Sequence, residues 1–425
     1  MEVDMIKDTI KNRLGSAFIY VKALLRWIVC AVVVGGIGGS VGVAFHYSIQ
    51  WATTYRNTHD YVLWFLPAGG VVIVFLYRLC HMENDRGTNL ILASIRSNEQ
   101  VSILMAPLIF ISTVITHFFG GSAGREGAAL QIGGSIGAFV GYRLRMDEKD
   151  IHLITMCGMS GVFSALFGTP LTAAIFSMEV VSVGVVYYTA IVPCVFSSLI
   201  GFAIAGLAGI SPTFFDIAAL VPKLSVTSVV QISILAGLCA VLSIVFCILL
   251  HTADYYFKLQ FSNQYVRIVI GGVLLVALTF LSGTRAYNGA GMDIITQALS
   301  GKGVPEGFLL KMLFTAITIG AGYRGGEIVP TLFVGATFGC VVSPLLGMSG
   351  GFGAAVGMIA LFCGVVNCPI TSILLSIEIF GSQGMLFFAI AAGISYMLSG
   401  YYSLYRSQKI MYSKVAAEYI NRDTK

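Results

Sequence analysis

A glutamate stands in a nest of small residues, Gly121-Ser122-Ala123-Gly124-Arg125-Glu126-Gly127, between an apolar run ending near Phe119 and another starting at Ala128. A carboxylate at membrane depth is expensive and marks a functional position where one is found. A similar block, Gly322-Tyr323-Arg324-Gly325-Gly326-Glu327-Ile328-Val329-Pro330, follows in the second half of the chain. Two polar breaks in corresponding halves of an apolar chain point to a transport pathway.

The membrane reading rests on composition. Of 425 residues, 57% are hydrophobic and 11% charged, against about 25% charged in soluble domains; mean hydropathy is +0.87. The net charge of +5 is dispersed, which argues against a nucleic-acid partner. Lys7, Lys11, Arg13, Lys22 and Arg26 crowd the start, and Lys409, Lys414 and Arg422 lie near the end. Positive charge favours the cytoplasmic side, so both termini are expected there, in a multi-pass protein of the cell membrane. Met1–Arg13 is charged and amphipathic, and no small-residue cleavage site follows a short apolar core. It therefore reads as no signal peptide, and residues 1–26 read as an interfacial helix leading into a first span from about Trp27. The nine cysteines lie mostly in apolar runs without a CxxC pair. They read as small buried residues, and no metal is expected.

Apolar runs at 27–49, 61–79, 102–119, 187–209, 226–250, 267–282 and 384–399 could cross a bilayer. Others, at 128–142, 152–166, 170–180, 328–346, 352–365 and 369–380, are cut by Gly, Pro or charge. A full span needs about 20 apolar residues, so the shorter runs read as half-spanning or re-entrant. Irregular backbone at that depth is tolerated only inside protein or beside a wet cavity. The 49 glycines suit such breaks and close helix packing.

The chain repeats itself. Gly87-Thr88-Asn89-Leu90-Ile91 resembles Gly291-Met292-Asp293-Ile294-Ile295, at an offset of 204. Gly124-Arg125-Glu126-Gly127 resembles Gly326-Glu327-Ile328-Val329, and Gly133 and Gly137 match Gly335 and Gly339, at 202. Thr169-Pro170-Leu171-Thr172, Ser177 and Glu179 match Cys368-Pro369-Ile370-Thr371, Ser376 and Glu378, at 199. Three blocks in one order at nearly constant offset indicate a duplication, with repeats at roughly 27–210 and 226–408. The chain then reads as a single transmembrane domain over 1–425, without a C-terminal soluble domain.

The first nest suits an anion. The chain leaves the glycines and enters a helix at about Ala128, and a helix N-terminus presents unpaired N–H groups and a positive dipole end. Such a site binds anions without a full positive charge, so the ion can also leave. Gly325–Thr331 has the same design, with Pro330 suited to a first helical turn. Gly87-Thr88-Asn89 opens a third. Glu126 beside such a site competes with the anion while ionised and withdraws when protonated, which makes it a gate and a proton carrier. The plainer reading is a structural glutamate paired with Arg125 or Arg324; for Glu327 it is an ion pair with Arg324. Glu179 and Glu378, near helix ends in both repeats, read first as caps, and His117 as a hydrogen-bonded helix-end histidine.

These blocks carry a resemblance. GREG at 124–127, GGEIVP at 325–330, TPLTAAIFSMEV at 169–180 and SLYRSQ at 403–408 resemble the CLC family of chloride channels and anion/proton antiporters, in the family's order, over roughly residues 25–408. The resemblance implies an all-α polytopic membrane protein: a CLC-type inverted repeat with many tilted and broken helices. It implies a homodimer with one pore per subunit in membrane lipid, a halide as cargo, and no cofactor beyond the moving halide and protons. Glu126 then resembles the gating glutamate. The amides of Ile328 and Val329, with Gly124, Arg125 and Gly127 of the first nest, would hold the anion. Tyr405 resembles the tyrosine that closes the inner side of that site, and Thr88 the serine that donates to it.

The sequence also departs from the family pattern. GSGIP is replaced by Gly87-Thr88-Asn89-Leu90-Ile91, which keeps a hydroxyl but loses a glycine and the proline. Val180 stands where many antiporters carry a second, inner glutamate. Glu327 and Ile328 stand where the motif usually has an apolar residue and phenylalanine. These features resemble the fluoride/proton antiporter branch, although Val329 lacks the hydroxyl associated with it. Two nearby carboxylates would share charge, which suits proton transfer. The expectation is proton-coupled halide exchange through Glu126 and Glu327, with fluoride ahead of chloride. The alternative is a chloride/proton antiporter or passive chloride channel gated by Glu126. An enzyme reading rests on GxSxG strings at Gly120–Gly124, Gly133–Gly137 and Gly38–Gly42 and on Ser160 with His251. Several copies argue for packing rather than one nucleophile, and no enzyme activity is expected.

Overall fold

The computed structural model describes residues 2–97 and 99–425, with side chains from Phe18 onward. Helix α1 runs unbroken over Glu2–Thr58, and its portion Phe18–Thr58 is long and apolar enough to cross a membrane. The side chains of Lys7, Lys11 and Arg13, on which the interfacial reading rests, lie outside the described residues. Helix α2 (Leu66–Leu79) has proline in its first turn, where a missing N–H costs nothing. Helix α3 (Thr88–Ser94) opens at Gly87, whose φ of 58° suits glycine. Helix α4 (Met105–Phe119) stops at left-handed Gly120. Helices α5 (Glu126–Arg143), α6 (Glu148–Phe167), α7 (Pro170–Glu179) and α8 (Ile191–Leu207) complete the first half.

The second half opens with α9 (Val226–Gln260), started by a Ser225/Ser228 capping box. Helices α10 (Gln264–Ser282) and α11 (Met292–Leu299) follow, then α12 (Gly307–Ala321), α13 (Ile328–Val342), α14 (Gly350–Val366), α15 (Pro369–Phe380) and α16 (Met385–Leu398). Among the described residues seven segments are long and apolar enough to span a bilayer. Val29, Val241 and Val273 are more than half exposed on three of them, as lipid-facing side chains should be in a multi-pass membrane protein.

Three features depart from the sequence reading. The run at 328–346 is long enough to span, those at 102–119 and 384–399 hold helices of only 15 and 14 residues, and the run at 152–166 is part of the 20-residue α6, also long enough to span. Asp147 caps it by accepting from the Asp150 amide, so the charged residues 148–150 join its first turn, where negative charge suits the dipole. Helix α12 was absent from the apolar runs, because Lys311 interrupts it; that lysine is fully buried. A small sheet accompanies the helices. Strand β1 (Ser182–Val183) pairs in parallel with β2 (Lys409–Tyr412), which pairs antiparallel with β3 (Tyr419–Asp423).

Glycine sets the closest helix contacts, in the same way in both halves. A Cβ added at Gly133 or Gly137 of α5 would lie 2.2 Å from the carbonyl oxygens of Gly158 and Ile154 of α6. At Gly335 and Gly339 of α13 it would lie 2.4 and 2.0 Å from those of Gly357 and Gly353 of α14. The helices meet backbone to backbone, which is what small residues permit in a membrane.

Glu179 and Glu378 are exchanged between the halves. Glu179, at the end of α7, accepts from the Ile370 and Thr371 amides (3.1 and 2.8 Å) and the Thr371 hydroxyl at the start of α15. Glu378, near the end of α15, accepts from the Leu171 and Thr172 amides (2.9 and 2.8 Å) at the start of α7. Each short helix is thus capped by the other's glutamate, satisfying N–H groups that would otherwise be orphaned.

Gly335→Ala should lower stability by about 1–3 kcal/mol through overpacking against a backbone that has no rotamer to change. Gly393→Ala, with nothing near its Cβ position, should be neutral. Thermal unfolding in detergent checks both.

Candidate functional site

Helices α5 and α13 begin inside the protein without a side-chain cap on their end amides. Helix α5 starts at Glu126, two residues before the expected Ala128, so the glutamate is its first residue. The two starts are held together by one pair of hydrogen bonds. The Gly124 amide donates to the Gly326 carbonyl (2.6 Å), and the Gly326 amide donates back to Gly124 (2.8 Å). A Cβ on Gly326 would lie 2.4 Å from the Gly127 nitrogen, so only glycine fits there, and one on Gly124 would lie 2.3 Å from Glu126 Oε2 and displace that carboxylate.

Glu126 is 1% exposed. Its carboxylate accepts from the Arg125 amide at 2.9 Å, at the start of α5, and lies near the Val329 amide of α13. Ile328 and Val329 are buried at the head of α13. The first intrahelical bond there is Thr331 N–H to the Glu327 carbonyl, and Pro330 has no N–H. The Ile328 and Val329 amides therefore have no partner within the helix. The Glu327 carboxylate lies against Gly127, with Oε2 3.5 Å from that residue's Cβ position, close enough to Glu126 to interact electrostatically.

A cavity of about 570 Å³ reaches this region and is lined by Thr88, Gln131, Arg324, Glu327 and Tyr405 among others. The Thr88 hydroxyl lies 3.4 Å from the Gly127 carbonyl and accepts from Gln131 Nε2 at 3.1 Å. Tyr405 is 2% exposed, and its hydroxyl is buried without a hydrogen-bond partner. An orphaned buried hydroxyl at a cavity wall calls for an explanation, and a transported ligand is one.

The structure brings Gly124, Arg125, Glu126, Gly127, Glu327, Ile328 and Val329 together, and places Thr88 and Tyr405 on the adjoining cavity. The Arg125 guanidinium bonds to His46 Nδ1 (3.0 Å) and the Leu166 carbonyl (3.1 Å), and its Nε makes a loose ion pair with Glu126 at 3.9 Å. Arg125 also contributes its backbone amide. Arg324 pairs with neither glutamate: it stacks over Tyr77 and stands 4.0 Å from Asp85. His117 is a buried helix-end residue whose Nε2 lies 3.3 Å from the Gly124 carbonyl. The Ser160 hydroxyl is spent on the Cys194 carbonyl at 2.6 Å, and His251 on Ser403 and Arg406. Gln131, which holds Thr88, was missed; a lone amide one turn into an apolar helix was its only signal.

The profile of the family described as voltage gated chloride channel matches residues 69–400. The chain belongs to the CLC family. A chloride/fluoride channel protein of Pseudomonas syringae pv. tomato is 33% identical over 92% of this chain and 88% of its own. An H(+)/Cl(-) exchange transporter of Klebsiella pneumoniae is 27% identical over 84% of this chain and 82% of its own. Among solved structures, a CLC-type fluoride/proton antiporter superposes with a TM-score of 0.86 at 28% identity, covering 91% of this chain and 98% of that one. This CLC protein is a multi-pass anion transporter and not an enzyme.

Gly124→Ala and Gly326→Ala should each reduce anion flux in liposomes about tenfold or more, since about 1–3 kcal/mol of overpacking falls on the site itself. Gly206→Ala, in open space, should transport normally.

Proposed function

We propose that this CLC transporter exchanges a halide, fluoride ahead of chloride, for protons, with Glu126 as the gate and Glu327 as its proton-carrying partner. One observation carries the reading. Helices α7 and α15, whose first turns are partly exposed at Leu171 and Ile370, have a glutamate fixed on their first amides. Helices α5 and α13 begin in buried positions with no N-cap side chain on their amides, and the Glu126 carboxylate lies at their junction on the Arg125 amide. An anion is what such donors accept. Ionised Glu126 occupies them; protonated, it loses its charge attraction and yields them to a halide. The ionised carboxylate and the anion then exclude each other from one place, which ties anion occupancy to the protonation of Glu126. Thr88 and Tyr405 supply hydroxyls where the cavity meets the site.

Fluoride stands first because a relative is named a chloride/fluoride channel protein and a structural neighbour a fluoride/proton antiporter. The working unit is a homodimer in the cell membrane, each subunit with its own pore, both termini cytoplasmic and no cofactor required. One observation favours a second reading, passive or chloride-selective flow gated by Glu126 alone: Val180, at the place of the inner glutamate, is buried and apolar.

Efflux of fluoride and chloride from liposomes, compared side by side with pH recorded, tests the proposal. Fluoride should leave faster, with protons moving the other way. Glu126→Gln should separate anion flux from proton flux, and Glu327→Gln should reduce proton flux more than anion flux. Chloride efflux matching fluoride would end the fluoride assignment, and anion flux without protons would end the exchange assignment.

A further inference from the structure

We infer that Lys311 is a positioning residue for Glu126, acting with Arg56 as a cationic clamp on the backbone that carries the gate. The inference rests on the gate reading of Glu126 given above. Lys311 lies in the middle of α12 and is fully buried. Its ammonium donates to the Tyr287 carbonyl (3.1 Å) and the Gly289 carbonyl (2.6 Å), and stands 5.2 Å from the Phe333 ring centroid. Arg56, 8% exposed, donates from Nη1 to the His117 carbonyl at 2.8 Å and from Nη2 to Asn57. Its guanidinium lies against Gly289, where an added Cβ would be 2.7 Å from Nη1. Among the described residues neither cation forms an ion pair with a carboxylate. A buried charge without an opposite partner is costly and needs a reason.

Both cations hold carbonyls of segments that end on the glycine nest. Gly289, gripped by Lys311, donates its amide to the Gly121 carbonyl at 3.0 Å, and the neighbouring Asn288 side chain donates to the Gly120 carbonyl at 2.7 Å. His117, gripped by Arg56, presents Nε2 to the Gly124 carbonyl at 3.3 Å. Charge-assisted bonds to carbonyls are stronger than neutral ones, so the nest is braced from two sides up to the residue that precedes Arg125 and Glu126.

The duplication shows that the fold itself does not require this lysine. Helices α4 and α12 both have 15 residues and both stop at a glycine with positive φ, Gly120 and Gly322. At the offset of 202 that relates them, Lys311 corresponds to Ile109, which is buried at 1%. The same helix position is filled by an aliphatic side chain in one half and a charge in the other. The charged half is the one that braces the Glu126 nest.

The test is Lys311→Met in liposomes, scored as protons moved per anion, with Lys311→Gln as a second variant that keeps a donor without the charge. We expect the ratio to fall at least twofold in both. We also expect Lys311→Met to add nothing in a Glu126→Gln background. A purely structural role would shrink both fluxes together and leave the ratio unchanged, because it alters only the amount of active protein. An unchanged ratio overturns the inference, as does an effect of Lys311→Met that persists without Glu126. The gate reading fails separately, if Glu126→Gln behaves like the unsubstituted protein. If the unsubstituted protein moves anions without protons, the exchange reading fails alone. The inference is then scored on anion flux: Lys311→Met must change it in the parent and leave it unchanged in the Glu126→Gln background.

Discussion

The paired hydrogen bonds between Gly124 and Gly326 are the interaction on which the site depends. They join the two halves of the chain at the point where each has just left a helix and is about to begin another. Because neither residue has a side chain, the backbones come close enough for the heads of α5 and α13 to share one small volume. Their unpaired amides, the first residue of α5 and the carboxylate before α13 then fall together without further device. The close glycine contacts of α5 on α6 and of α13 on α14 hold those heads in register from behind.

The same architecture uses one chemical pairing in two ways. At α7 and α15 a glutamate on a helix N-terminus is a fastener, exchanged between halves and satisfied by two amides on each side. At α5 and α13 the carboxylate belongs to the head of the helix itself, where it accepts from the Arg125 amide. In the proposed mechanism, fold stability and transport draw on the same interaction in different settings, with the buried cations Lys311 and Arg56 bonded to carbonyls around the nest.

Much of this was legible in the residues. The two glycine-rich breaks, the offsets near 200 that relate the halves and the reciprocal roles open to Glu179 and Glu378 are all local patterns in the chain. Partners were less legible. Arg125 keeps only a loose ion pair with its neighbour Glu126, and its guanidinium bonds are made to His46 and Leu166, far away in sequence. Arg324, the other expected partner, turns to Tyr77 and Asp85. Helix α12 is hard to read in the sequence because Lys311 looks there like a polar interruption, whereas its ammonium is satisfied by carbonyls of a loop more than twenty residues away.

By itself the sequence determined that this chain lives in a membrane, that it is duplicated, and that each half breaks its helices around a glutamate. Those properties follow from hydropathy, spacing and the conformational range of glycine, which are carried by each residue and its neighbours. The tertiary structure decided which amides meet which carboxylates, that Tyr405 arrives at the site with a hydroxyl left unpaired, and that a buried lysine braces the nest. These are contacts across 190 or more positions for the Glu179–Thr371 and Gly124–Gly326 pairs. A hydrogen bond depends on distance and direction in space, and only the packed backbone sets those.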